Sequence, residues 1–121
     1  MKPIKNSQFI FTDTDDGIKK IFLREKYFEF VCLLITDYYE KEIVENDFYK
    51  YFVNLLNDLE DDSGVFFIEH QMPPHFALGI IENKIPEKSF KYDGKMKEIS
   101  MNFRKQNNLE SFVIDYHNII T

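Results

Sequence analysis

Six apolar side chains, Phe48, Tyr51, Phe52, Leu55, Leu56 and Leu59, recur at three- and four-residue steps, a spacing that only an α-helix gathers onto one face. Asn46 precedes them and Asp47 follows it, residue types that cap a helix start and meet its positive end. The helix is expected to run out through Asp58, Leu59, Glu60, Asp61 and Asp62 and to stop at Gly64. Any fold this chain adopts must bury that stripe, and mostly bulky side chains are available to meet it. The 121 residues include 13 Phe and 7 Tyr but no Trp, so the core is expected to be aromatic, with tyrosine hydroxyls that need a partner or water. The length suits one domain spanning residues 1–121, with a real core that needs no staples.

Ile18, Ile21, Phe22, Phe28, Val31, Cys32, Ile35 and Tyr38 keep helical steps and predict a one-sided helix over residues 18–41, with an interruption near Arg24. Beyond Gly64 the texture becomes short extended pieces. Residues 65–68 and 77–81 read as strands separated by a loop over 71–75, and residues 89–92 and 97–103 read as the arms of a hairpin around Asp93-Gly94. In the second arm Ile99, Met101 and Phe103 alternate with polar residues, although Met96, Ile99 and Phe103 also suit a helix. Leu109, Phe112, Val113, Tyr116, Ile119 and Ile120 return to helical spacing. The sum is an α+β fold: N-terminal helices, a small antiparallel sheet of about four strands, and a C-terminal helix packed on it.

The stretch Thr12-Asp13-Thr14-Asp15-Asp16-Gly17 has the composition of a calcium loop. A twelve-residue calcium site needs oxygen ligands at positions 1, 3 and 5, glycine at 6 and a bidentate glutamate at 12. Placing Gly17 at position 6 puts Leu23 at 12, and starting from Asp13 puts Arg24 there. Neither side chain can close the coordination sphere, so the stretch reads as a turn after extended Phe9-Ile10-Phe11.

Several function classes lose their support. Four dispersed glycines form neither a dinucleotide fingerprint nor a P-loop. A net charge of −6 disfavours direct nucleic-acid binding, and the basic strip Lys84, Lys88, Lys91, Lys95, Lys97, Arg104 and Lys105 reads as the polar edge of a small sheet. The longest apolar run, residues 30–35, falls far short of the roughly 20 residues that span a bilayer. Residues 1–7 lack the features of a secretory signal, which leads us to expect a cytoplasmic protein. Cys32 is alone and sits in that apolar run without a basic neighbour, so it is expected to be buried and inert. Glu69, His70 and His75, with His117 from afar, could converge on a metal, but their spacing matches no zinc pattern. Ser63 and Ser89 are the nucleophiles a histidine base could serve. No cofactor is implied.

Residues 37–62 are more informative. They hold nine acids against Lys41 and Lys50, with Tyr38, Tyr39, Tyr49 and Tyr51 among them. Asp58, Glu60, Asp61 and Asp62 are expected at the C-terminal turn of the helix after Asn46, where each carboxylate costs about 0.3–1 kcal/mol against the helix dipole. Acids kept against their local electrostatics suggest a docking surface for a basic partner, which carboxylates steer and aromatic rings hold. Nucleases are such partners, because they carry a cationic cleft for their own substrate.

In size, acidity, aromatic richness and this Asp/Glu/Tyr stretch the chain resembles the immunity proteins of bacterial toxin systems, small cytoplasmic antidotes that block a cognate toxin. The resemblance implies an inhibitor of a basic toxin, often a nuclease, and no enzymatic activity. The expected contact residues, read from the acidic stretch, are Asp58, Glu60, Asp61 and Asp62, with Tyr38, Tyr39, Glu42 and Glu45 as secondary contacts. A small metal-dependent enzyme using the Glu/His cluster, or a mobile-element adaptor, is the alternative.

Overall fold

The computed structural model describes residues 3–5, 8–87 and 90–116. Strands β1 (Phe9–Thr12) and β2 (Lys19–Phe22) form an antiparallel hairpin. Helix α1 (Arg24–Leu33) follows and continues into a π-helical turn, Leu34–Tyr38. Then come α2 (Asp47–Asn57), α3 (Asp62–Gln71), α4 (Pro73–Glu82), α5 (Gly94–Asn107) and β3 (Val113–Asp115). β3 pairs antiparallel with β2, so the sheet order is β1-β2-β3. The fold is α+β, with three strands among the described residues rather than four.

The helix with the strongest stripe forms, but it ends at Asn57 instead of running on towards Gly64, and Tyr51 of the stripe stays exposed. Asn46 accepts a hydrogen bond from the Tyr49 amide at 2.9 Å and caps α2, whose Phe48, Tyr49, Phe52 and Leu56 are buried. Phe52 stacks on Phe76 of α4 with centroids 4.7 Å apart, and Tyr27 of α1 meets Phe22, Phe52, Phe76 and Phe112. This aromatic knot joins the sheet to three helices. The Tyr27 hydroxyl, with almost no exposure, donates to the Ile68 carbonyl at 3.1 Å, which satisfies the polar group that such a core must accommodate.

Other expectations are corrected. Residues 18–22 are not helical: Lys19–Phe22 is the central strand, and the helix begins at Arg24. Its Ile21 and Phe22 are both buried because the strand has neighbours on both edges and packs on both faces. Residues 65–68 and 77–81 are the middles of α3 and α4. Pro73 and Pro74 do not make a loop; they open α4, where a missing amide costs nothing. Met72 alone links the two helices, in a positive-φ conformation (72°). Asp93-Gly94 is a helix start: Asp93 accepts from the Met96 amide at 3.0 Å and caps α5, with Met96 and Phe103 on the buried face. A strand replaces the expected helix at 113–115, and the remainder of that expectation, at 117–121, lies outside the described residues.

Gly79 sets how closely α2 and α4 approach. A Cβ at this position would overlap the ring of Phe48. Gly79→Ala adds helix propensity of about 1 kcal/mol, yet overpacking of this kind costs about 1–3 kcal/mol or more. Net destabilisation in urea unfolding is the expected outcome, and a stabilised variant would mean that the Phe48 ring moves aside freely.

Candidate functional site

The acids at 58–62 belong to two helices, which changes their electrostatics. Asp58 caps the C-terminus of α2, at the negative pole, as expected. Asp61 and Asp62 do not: Asp61 accepts from the Gly64 amide at 3.3 Å as the N-cap of α3, and Asp62 sits in its first turn. Carboxylates are stabilising there. Their presence needs no partner to explain it, and Gly64 lies inside a helix rather than ending one.

Asp62 is also turned inward. Its Oδ2 accepts from the Thr14 amide at 2.9 Å and the Thr14 hydroxyl at 2.7 Å, clasping the β1–β2 turn to α3. Asp13 and Asp16 of that turn are similarly occupied. Lys20 Nζ lies 2.7 Å from Asp13 Oδ2 and 2.9 Å from Asp16 Oδ2, and Gly17 closes the turn at φ +71°. The two Thr14 donors hold the Asp62 carboxyl below its ordinary value. A depressed folded value adds stability above the unfolded pKa that is lost as pH falls through the folded one. The advantage of the parent chain over Thr14→Val is therefore expected to be full above about pH 4 and to shrink in more acidic solution. Acid titrations of both chains by circular dichroism check this, and an advantage that does not vary with pH would contradict it.

The remaining acids frame a groove. A cleft of about 510 Å³ runs between the end of α2 and the start of α3. Its apolar lining comes from Tyr51, Leu55, Leu59 and Phe67, and its acidic lining from Asp58, Glu60 and Asp61; no Lys or Arg lines it. Tyr51 and Phe67 are each 44% exposed, although a well-packed core would have taken both. The nearest described cation to Asp58 is Lys5, at 3.8 Å, with both side chains well exposed; such a pair contributes about 0–1 kcal/mol. Lys5 is placed by Asn57, which accepts from the Lys5 amide and donates to the Pro3 carbonyl.

Tyr51 also lines a second, open cleft of about 330 Å³ with Asp47, Phe48, Asn83, Lys84 and Ile85. Ile85 is 72% exposed. The outer face of α2, from Asp47 through Tyr51 to Asp58, thus connects two clefts. Phe67 and Ile85 were not foreseen as site residues. Phe67 could be seen only once 62–71 was known to be a helix, and Ile85 sits alone between Lys84 and Pro86 without any periodicity.

The secondary contacts do not line the groove. The Tyr38 hydroxyl donates to Asp93 Oδ2 at 2.5 Å, Lys95 Nζ lies 5.7 Å over its ring, and Tyr39 packs edge-on against it at 4.8 Å. These contacts tie the π-helical turn to the start of α5. Burial pushes the Tyr39 phenol up to about 12. Glu42 and Glu45 are exposed in the segment before α2, beside exposed Ile43 and Val44.

The other candidates separate. His70 is exposed in the last turn of α3. His75 packs edge-on against Phe48 and Phe76, and burial lowers its pKa. His117 and Ser89 lie outside the described residues, and Ser63 is on the wall of the groove. No group of three or more His, Cys, Asp and Glu is placed to hold a metal among the described residues. Among the described residues no helix is long and apolar enough to cross a membrane. Cys32 is half-buried rather than enclosed, yet burial pushes its thiol up to about 11, with Glu29 adding to the shift. Alkylation at pH 8 is expected to run about 100-fold slower than for an unfolded chain. Equal rates would show an accessible thiolate.

Comparisons of the chain with protein-family models, curated proteins and solved structures return no match.

Proposed function

We propose that the chain is an immunity-type protein that binds and neutralises a basic protein toxin, a nuclease by the chemistry of its cleft, in the cytoplasm. The observation that carries the reading is the groove in which Asp58, Glu60 and Asp61 border an exposed apolar floor of Tyr51, Leu55, Leu59 and Phe67. Carboxylates around a groove that no lysine or arginine lines attract a cationic surface and raise its association rate. Aromatic and aliphatic side chains at the centre supply contact energy once water is excluded. An acidic protein seated in a nuclease cleft would block the path of the nucleic acid by charge and bulk, with no chemistry of its own.

The site differs from the one the sequence suggests. Asp62 holds Thr14, and Tyr38 is spent on Asp93, so the docking surface is the groove and the outer face of α2, with Glu42 and Glu45 outside it. The test is capture from the native host with the full chain as bait, beside an Asp58→Lys/Glu60→Lys bait. A basic protein held by the parent chain, released by salt and not held by the variant is expected. That protein, once purified, should lose its nuclease activity when the chain is added. Undiminished activity would sink the toxin reading, and equal retention by both baits would sink the groove.

A further inference from the structure

A second cavity, of about 200 Å³, lies where α1, the α3–α4 junction, α5 and the segment before β3 meet. It lies apart from the acidic groove and shares no lining residue with it. Its floor is aromatic: Phe112 lies 5.2 Å from Tyr27 and 5.8 Å from Phe30, ring centre to ring centre. A dry cavity of about 150 Å³ lined by apolar side chains is large enough to take a benzene ring, so this one has room for a single ring and a short tail.

Two polar observations point to a ligand. Ser100 lines the cavity at 5% exposure, and its side chain makes no hydrogen bond with any described residue. A serine in mid-helix commonly bonds back to its own backbone; this one is left with donor and acceptor capacity beside the void. Exposed Glu69 of α3, Glu110 before β3 and Arg104 of α5 also line the cavity, at its open side, yet none forms an ion pair with another described residue.

The mixture of charges selects the ligand. A simple cation would meet Arg104, a simple anion would meet two carboxylates, and a neutral ring would leave all three groups unused. Only a molecule with both charges on a short head satisfies the opening. We propose that this cavity binds a small zwitterion carrying one aromatic ring, the chemistry of a free aromatic amino acid. Its ring lies on the Tyr27–Phe30–Phe112 floor, its ammonium at Glu69 and Glu110, and its carboxylate at Arg104. Burial holds the Glu69 carboxyl above its ordinary value, and an arriving ammonium would relieve that cost.

Calorimetric titration of the full chain with L-phenylalanine, phenethylamine and 3-phenylpropanoate tests the assignment. L-phenylalanine is expected to bind with a dissociation constant of about 1 mM or tighter, and each singly charged analogue about 10-fold more weakly. Arg104→Gln, at an exposed position, should weaken L-phenylalanine about 10-fold and, by removing the repelling cation, tighten phenethylamine. Ser100→Ile should fill the floor and abolish binding, with thermal melting as the check on folding; if it fails to fold, Arg104→Gln decides alone. No binding of L-phenylalanine at about 20 mM, analogues that bind as well as the amino acid, or an Arg104→Gln chain that binds like the parent would each overturn the proposal.

Discussion

Replacing Phe52 with alanine is expected to remove about 3–5 kcal/mol from the unfolding free energy. The ring is fully buried and central. It stacks on Phe76 at 4.7 Å and on Phe28 at 6.2 Å, and meets Tyr27 at 6.2 Å. Its neighbours are themselves rings held on two other helices, α1 and α4, so none can turn into the space without giving up another contact. The void should therefore stay largely open, which places the loss towards the upper part of the range for a large-to-small change. A domain of this size has about 5–15 kcal/mol in total, so the variant is expected to sit close to its unfolding threshold. Phe52→Leu, which keeps most of the volume, should lose much less. Urea titration at 25 °C separates the two, and an alanine variant within about 1 kcal/mol of the parent would show that the core collapses around the gap.

Asp58→Lys/Glu60→Lys is expected to lower affinity for the basic partner about 100-fold at low salt. Each substitution replaces an attraction with a repulsion at the groove rim. Exposed pairs are worth about 0.2–1 kcal/mol apiece, and reversal counts that contribution twice at two positions. The loss should fall mainly on the association rate and contract as added salt screens the rim. Asp61 is left in place because its carboxylate caps α3, and reversing it would confound binding with stability. Tyr51→Ala is the complementary probe, since this ring lines both clefts. Its effect should fall on dissociation and persist at high salt. Surface plasmon resonance across a salt series distinguishes the two patterns; a charge-reversal effect that salt does not alter would place the contact elsewhere.

How far the chain could be read in advance depended on whether local pattern and tertiary context agreed. The start of α2 was legible because its cap and its stripe point the same way, while its end, at Asn57, was not. α3 and α4 were not, since Val65, Phe66, Phe67 and Ile68, like Ile80 and Ile81, are β-branched or aromatic runs that suit a buried strand equally well. Pro73 and Pro74 reinforced that error, because a proline pair signals a loop as readily as a helix start. Asp93 carried the same ambiguity between turn and cap. β2 was hidden by the chance three-residue step from Ile18 to Ile21; only its pairing with β1 and with distant β3 makes it a strand.

The site was partly legible for a related reason. The acids were visible in composition, and Asp58, Glu60 and Asp61 do share a groove. Their electrostatic meaning was not visible, because it depends on which helix each terminates. With α3 unrecognised, Asp61 and Asp62 fell at the wrong pole. Only Asp58 stands against a helix dipole, and the exposed apolar floor beneath the acids is the feature that suits a partner.

β2 draws one edge partner from residues 9–12 and the other from residues 113–115. Chains emerge from the ribosome N-terminus first, so the hairpin can form early while its second edge stays open until Val113–Asp115 has been made. Lys19 and Lys20 on that strand discourage pairing with a neighbouring nascent chain. A polypeptide arrested in translation before residue 113 carries a bare strand edge, open to pairing with another chain.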